Sequence, residues 1–268
     1  MSAYRFCRTD DIPLLVEALN RCGAGPVTAA DVKRDIRELD LWCSSCMVAF
    51  EGSDPIGVLI GCKRPPHTLV RRIAVHPDYL RRGHGRHLLT SLSAKLAILG
   101  PKLLVAEVDA ENAAARALFE ACGWREARRY VDFTLDRSLA APAAAGVVQA
   151  VPAADLGDDL LPPDDAPRSW ERTRGTLTKR MDGLSGLALA SSERLEAAVL
   201  FSRQGESIAV WSIACSDPDA LGIVLRDLSH RERATVVLPG IGTDELTSHS
   251  VLTRGTETIA FESEALKV

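Results

Sequence analysis

Apolar residues at Ile12, Leu15, Val16, Leu19 and Cys22 recur three and four positions apart, the period of a helix with one buried face. Asp10 and Asp11 precede it, Pro13 falls in its first turn, and Gly23 with Gly25-Pro26 stops it. Val32, Ile36 and Leu39 predict a second helix from Thr28 to about Asp40. The period then shortens. Apolar runs at 47–50 and 56–61, joined by a turn at 52–55, predict an antiparallel hairpin, and a third strand follows over 69–75. A long helix is predicted over 83–99, with Leu88, Leu89, Leu92, Leu96 and Leu99 on one stripe. After it come a strand over 103–108, a helix from Asn112 to Cys122 closed by Gly123, and a strand over 130–139.

The stretch AAPAAAG at 140–146 separates two better-patterned regions and is taken as a linker, giving domains at 1–139 and 147–268. The second region repeats the first in weakened form. Strands at 187–190, 195–201 and 208–214 keep the order of the first three, Ile213-Ala214 falls where Ile73-Ala74 falls, and a helix opening at Asp217-Pro218 precedes a strand at 234–238. The glycine-rich turn of the first copy is missing from the second, so the fold is expected to persist there without the ligand. The second copy is expected to have a structural role: packing on the first, covering the acceptor site, or making a dimer by exchange of a terminal strand at 256–265.

Composition narrows the class. A chain of 268 residues with 46% hydrophobic and 25% charged residues has material for a sizeable core and for more than one domain. A net charge of −4 gives no broad electrostatic footprint for nucleic acid. The first residues hold neither a long apolar run nor a basic region with a cleavage site, which predicts a cytoplasmic protein with no membrane segment. Seven cysteines without a framework fit reduced thiols. Cys43 and Cys46 form one CxxC, but a zinc site needs two more ligands at close spacing; Cys62 and His67 do not supply them, so no metal is expected. His84 and His87 likewise lack a third partner and are read as solvent-facing or phosphate-contacting.

Chemistry concentrates in IAVHPDYLRRGHGRHLL, where a strand ends at Val75 and a glycine-rich turn enters a helix. Gly83 and Gly85 lack a Cβ and let backbone approach an anion, and the N–H groups from about Arg82 to His87 have no partner inside the helix. Arg81, Arg82 and Arg86 add charge suited to phosphate oxygens.

This stretch resembles the pyrophosphate motif of GNAT (GCN5-related) N-acetyltransferases, V-x-P-x-x-[QR]-x-x-G-x-[GA], matched by Val75, Pro77, Gly83 and Gly85 and departed from at Leu80. Downstream, Asn112, Ala115, Leu118, Gly123 and Trp124 match the family's N-x-x-A-x-x-L-[YF]-x-x-x-G-[FW]. The resemblance covers roughly residues 3–139, and with its degenerate second copy the chain resembles the tandem members of the superfamily. It implies an α/β (α+β) GNAT fold: a mixed, mostly antiparallel, splayed sheet flanked by helices, followed by a smaller GNAT-like domain.

It further implies an acetyl-CoA site formed by Ile73, Ala74, Val75, Arg81, Arg82, Gly83, His84, Gly85, Arg86, Asn112 and Phe119, with strand N–H groups polarising the thioester. The reaction implied is direct attack by an amine, with a small molecule or a protein as the acceptor. Glu107 is the candidate base, though a solvated or salt-bridged strand carboxylate explains it equally well. Phe119 stands where the family often has the Tyr that protonates the departing thiolate, leaving Tyr130 or water for that step. A non-catalytic acyl-CoA sensor is the alternative.

Overall fold

The computed structural model describes residues 2–135, 148–243 and 252–265. The linker expected at 140–146 lies outside the described residues, as do 136–139 at the end of the expected strand. By compactness the chain forms two units, Met1–Arg128 with Ile259–Val268, and Arg129–Thr258.

The first unit opens with a strand the hydrophobic pattern did not announce, β1 (Ser2–Phe6), whose alternation of half-buried and exposed positions carries little apolar signal. Two helices follow, α1 (Ile12–Arg21) and α2 (Ala29–Glu38). Thr28 caps α2, its Oγ1 accepting from the Asp31 N–H at 3.2 Å while the Asp31 carboxylate accepts from the Thr28 N–H at 2.9 Å. Then come β2 (Met47–Glu51), β3 (Asp54–Arg64), β4 (His67–Val75), α3 (His84–Leu99), β5 (Leu103–Asp109), α4 (Ala113–Ala121) and the start of β6 (Arg125–Leu135).

The strand order in this unit is β1-β2-β3-β4-β5, completed by the end of β12 (Leu252–Glu264) beside β5. Neighbours from β1 to β4 run antiparallel, and β4 and β5 are parallel. Leu88, Leu89, Leu92 and Leu96 of α3 pack on Leu104, Ala106 and Val108 of β5 and on Ile259 and Phe261 of β12. Burying each such leucine contributes about 1.5–3 kcal/mol. The stripe on α3 ends one turn earlier than its spacing predicts: Leu99 is 68% exposed, because the chain turns away at Gly100. The residues expected to offer a free terminal strand are instead spent inside this chain, with Ile259, Phe261 and Ala265 in the first unit's core and the Ala265 N–H bonded to Lys102 O.

The second unit holds the rest of β6, then β7 (Val148–Pro152), α5 (Gly157–Leu160), α6 (Arg174–Arg180), β8 (Ser185–Ala190), β9 (Leu195–Gln204), β10 (Ser207–Cys215), α7 (Pro218–Glu232) and β11 (Thr235–Gly242). Its strand order is β6-β11-β10-β9-β8-β7, in which β10 and β11 are parallel and the other neighbours antiparallel. Leu221, Val224, Leu225 and Leu228 of α7 pack on Val199, Val210, Val236 and Leu238. Both units therefore place a helix across a parallel pair in a sheet that also holds antiparallel pairs, the mixed α/β arrangement implied by the motifs.

Candidate active site

In the first unit β4 and β5 pair from His67↔Leu103 to Val70↔Ala106 and no further. The break coincides with a bulge. On the other side of β4, Ile60 faces Arg72 and Gly61 faces Val70, so Arg71 is the extra residue, and a bulge bends the strand that carries it. Past Arg71 the two parallel strands separate. A cleft of about 330 Å³ opens there, lined by Val70, Arg71, Arg72 and Ile73 of β4, by Glu107, Val108 and Asp109 of β5, and by Asn112, Ala115 and Phe119 of α4. That is the size of a small ligand pocket.

The backbone of β4 is divided between its two sides. The His76 N–H donates to Ile56 O at 2.9 Å, and the register pairs Ala74 with Val58. By the alternation of an antiparallel ladder, Ala74 therefore turns its polar groups to β3, whereas Ile73 and Val75 turn theirs to the cleft.

From Val75 the chain passes through a short turn, Pro77–Tyr79, to α3. Arg81 and Gly83 are left-handed, at φ of 61° and 87°. Gly83 is the N-cap, and the first backbone bond of the helix is His87 N–H to Gly83 O, which leaves the amides of Gly83, His84, Gly85 and Arg86 without helical acceptors. Nothing lies within 4 Å of a Cβ added to Gly83, so that glycine serves the backbone conformation and an open approach. Gly85 has a different reason: its Cβ would stand 3.0 Å from Leu118 Cδ2, so the bare position lets α3 close on α4. Arg81, Arg82 and Arg86 are exposed around this helix start, and the Arg82 guanidinium lies 5.2 Å from the Tyr79 ring. Leu80, in the position of the motif's Gln or Arg, is exposed.

His84 does not face solvent as its sequence position suggests. It is 6% exposed, and its Nδ1 lies 2.6 Å from the Tyr4 hydroxyl; His87 packs its ring 3.9 Å from the Tyr4 ring. Burial, and then the Glu51 charge, push the Tyr4 hydroxyl above its ordinary pKa, so it stays protonated and available to that bond. That bond takes up Nδ1 of His84, and the main-chain N–H stays with the other free amides of the helix start. Tyr4 lies on the unannounced first strand, eighty positions from its partner, and no local signal links the two.

Asn112 caps α4, its Oδ1 accepting from the Ala115 N–H at 3.0 Å, which leaves only its NH₂ to donate elsewhere. Phe119 is 2% exposed, packed edge-on to Trp124 and stacked on Phe261, with one edge in the cleft. Glu107 lines the cleft and is half-buried. Tyr130 is buried on β6 opposite Gly242, belongs to the second unit, and is absent from the cleft lining among the described residues. The thiols are free, and burial raises Cys7 and Cys62 to about 12 and Cys22 to about 11. Among the described residues no group of three His, Cys, Asp or Glu is placed to hold a metal, and no helix is long and apolar enough to cross a membrane.

Residues 13–124 match the sequence model of the Acetyltransferase (GNAT) family. The [Ribosomal protein bS18]-alanine N-acetyltransferases of Salmonella typhimurium and of Escherichia coli (strain K12) are each 53% identical to this chain over 55 residues, 20% of this chain and 37% of theirs. The match thus spans little more than a third of those relatives. Among solved structures, a tandem GNAT protein from the clavulanic acid biosynthesis pathway aligns over 99% of both chains at 14% identity with a TM-score of 0.67. A GCN5-related N-acetyltransferase from Sphaerobacter thermophilus aligns over 98% of this chain and 96% of its own, at 14% identity and a TM-score of 0.63. At such identities the likeness is one of fold. The split parallel pair, the glycine-capped helix and both motifs thus lie in one compact unit, and it is this stretch, residues 13–124, that matches the acetyltransferase (GNAT) family.

Proposed function

We propose that the first unit is an N-acetyltransferase that uses acetyl-CoA and passes its acetyl group directly to a primary amine. One observation carries this reading: a single run, residues 70–86, holds both the strand edge opened at the Arg71 bulge and the amide-rich start of α3. The residues suit the donor chemically. An extended amide-bearing arm finds the outward backbone groups of Ile73 and Val75, and a diphosphate finds the four N-terminal amides of α3 with Arg81, Arg82 and Arg86 around them. The Asn112 NH₂ and the Phe119 ring complete the lining.

Bound acetyl-CoA supplies the activated acyl group. The chain's own contribution is to orient it, with an outward N–H of β4 aimed at the carbonyl oxygen. Glu107, on β5 across the cleft, takes the proton from the attacking amine. Leu103, Val105 and Glu107 share one face of β5, and at the far end of that face a hollow of about 530 Å³ is lined by Leu103, Val105, Glu126, Glu262 and Glu264 among others. We place the approach of the amine there. The relatives' names favour a protein α-amino group as acceptor, and its pKa of about 7.7–8.0, against about 10.4 for lysine, asks less of the base. With Phe119 in place of a hydroxyl donor, water protonates the departing thiolate, whose low basicity makes this a small demand. A cytoplasmic setting belongs to the same reading, since seven free thiols suit a reducing compartment.

The test measures acetyl-CoA binding and acetyl transfer to peptides with free N-termini and to small amines. Glu107→Gln is expected to bind as the parent does and lose about 10²–10⁴ in kcat. Binding without transfer to any acceptor favours the sensor reading, for which the absent hydroxyl at Phe119 is the specific observation. No binding by the parent ends the proposal.

A further inference from the structure

The second unit repeats the split of the first. Strands β10 and β11 pair in parallel from Ser207↔Thr235 to Ala209↔Val237 and then stop. Val210 faces Phe201 and Ser212 faces Leu200, so Trp211 is bulged as Arg71 is in β4. Carrying the registers one step on sets Val210 in the place of Val70 and Pro239 in that of Glu107. A second opening in the sheet therefore stands where a second acyl-CoA would go.

That opening has an occupant. Arg172, at the end of the short turn Trp170–Arg172, is 1% exposed, and its Nη1 donates to Pro239 O at 3.1 Å and to Val210 O at 3.5 Å, one carbonyl from each separating strand. The turn is fixed from below by Thr173 Oγ1 and Thr176 Oγ1, both donating to Trp170 O at 2.7 Å. It also sits tightly: a Cβ on left-handed Gly240 of β11 would lie 2.6 Å from Ser169 Oγ, and Ser212 Oγ of β10 donates to Leu160 O.

Separating two strands orphans carbonyls that need donors, and the Nη1 group of Arg172 supplies a donor to one carbonyl of each strand. We infer that Arg172 is an internal ligand, a side chain that fills the second unit's cleft and satisfies its strand edges, so that this unit is built closed and the chain takes up one acyl-CoA. Pro239 in the place of Glu107 accords with this, since a closed cleft has no use for a base.

The stoichiometry rests on the proposed function; the filling of the cleft does not, and two measurements separate them. Calorimetric titration of the full chain with acetyl-CoA should give one site, and two sites would overturn the inference. Independently of any acyl-CoA, Arg172→Ala should lower Tm by at least about 5 °C. Millimolar ethylguanidinium, the excised fragment, should restore part of that loss in the variant and leave the parent unmoved. Should Arg172→Ala fail to fold, Arg172→Lys takes its place, with a smaller loss of Tm expected because the ammonium keeps donors for the two carbonyls but lacks the planar guanidinium that fills the cleft. A variant that melts with the parent, or an Ala variant indifferent to ethylguanidinium, would overturn the inference whether or not the first unit binds acetyl-CoA.

Discussion

The rings of Phe119 and Phe261 stack 5.8 Å apart at 16°, joining the wall of the cleft to a strand 142 positions later in the chain. Phe261 is 1% exposed, so Phe261→Ala removes a packed ring with no route for collapse and should cost about 3–5 kcal/mol. Because Phe119 loses its backing, acetyl-CoA binding should weaken with it. Urea unfolding and calorimetric titration of the same sample check both halves; a stable variant with intact binding would show the stack to be incidental.

The two glycines at the start of α3 should respond differently. At Gly83 the left-handed φ of 87° makes Gly83→Ala lose about 1–2 kcal/mol although nothing obstructs the methyl group. Gly85 is already helical, and Gly85→Ala gains about 0.8–1 kcal/mol of helix propensity against the 3.0 Å approach to Leu118, whose side-chain end can yield. Its stability should therefore stay within about 1 kcal/mol of the parent's. Equal losses in the two variants would contradict the assignment of backbone to one and packing to the other.

Tyr4→Phe deletes the partner of a buried imidazole. Leaving His84 without that bond should cost about 1–3 kcal/mol, more than the bond itself is worth, and His84→Phe added to it should recover part of the loss. A double-mutant cycle by thermal unfolding measures the coupling.

Alkaline pH should be destabilising in a way traceable to thiols. Burial raises Cys7 and Cys62 to about 12 and Cys22 to about 11, from an ordinary 9.0. Below the unfolded value both states keep the proton and nothing is lost. As pH climbs from there toward the folded values only the unfolded chain releases protons, so each thiol withdraws up to about 1.4 kcal/mol per pH unit. Cys62→Ala should start less stable at neutral pH yet fall less steeply above the ordinary thiol pKa. Parallel Tm profiles would assign the alkaline loss to other groups.

Much of this was legible beforehand, for reasons that differ by element. The helix start was readable because Gly83 and Gly85 are local requirements of a turn and of a close approach, and such needs are written at the residue that meets them. The stripe on α3 was readable because its period is short, up to the point where the chain itself turns away and exposes Leu99. Neither β1 nor the return of β12 was readable. Ser2–Phe6 is a strand because Met47–Glu51 offers it an edge, and 259–265 lies in the first unit because Ala265 finds Lys102, pairings that no window of sequence contains. The same limit hid Arg172, whose role depends on two carbonyls 38 and 67 residues away.

The division of β12 also orders events in time. A ribosome delivers residues 1–128 well before Ile259, with the whole second unit made in between. At about 5–20 residues per second that interval is on the order of ten seconds. Throughout it the core beneath α3 waits for Ile259, Phe261 and Ala265, with the edge of β5 bare. The half that holds the cleft is thus the first to be made and the last to be finished. A gene fragment ending at Arg128 should therefore yield a protein without a closed core.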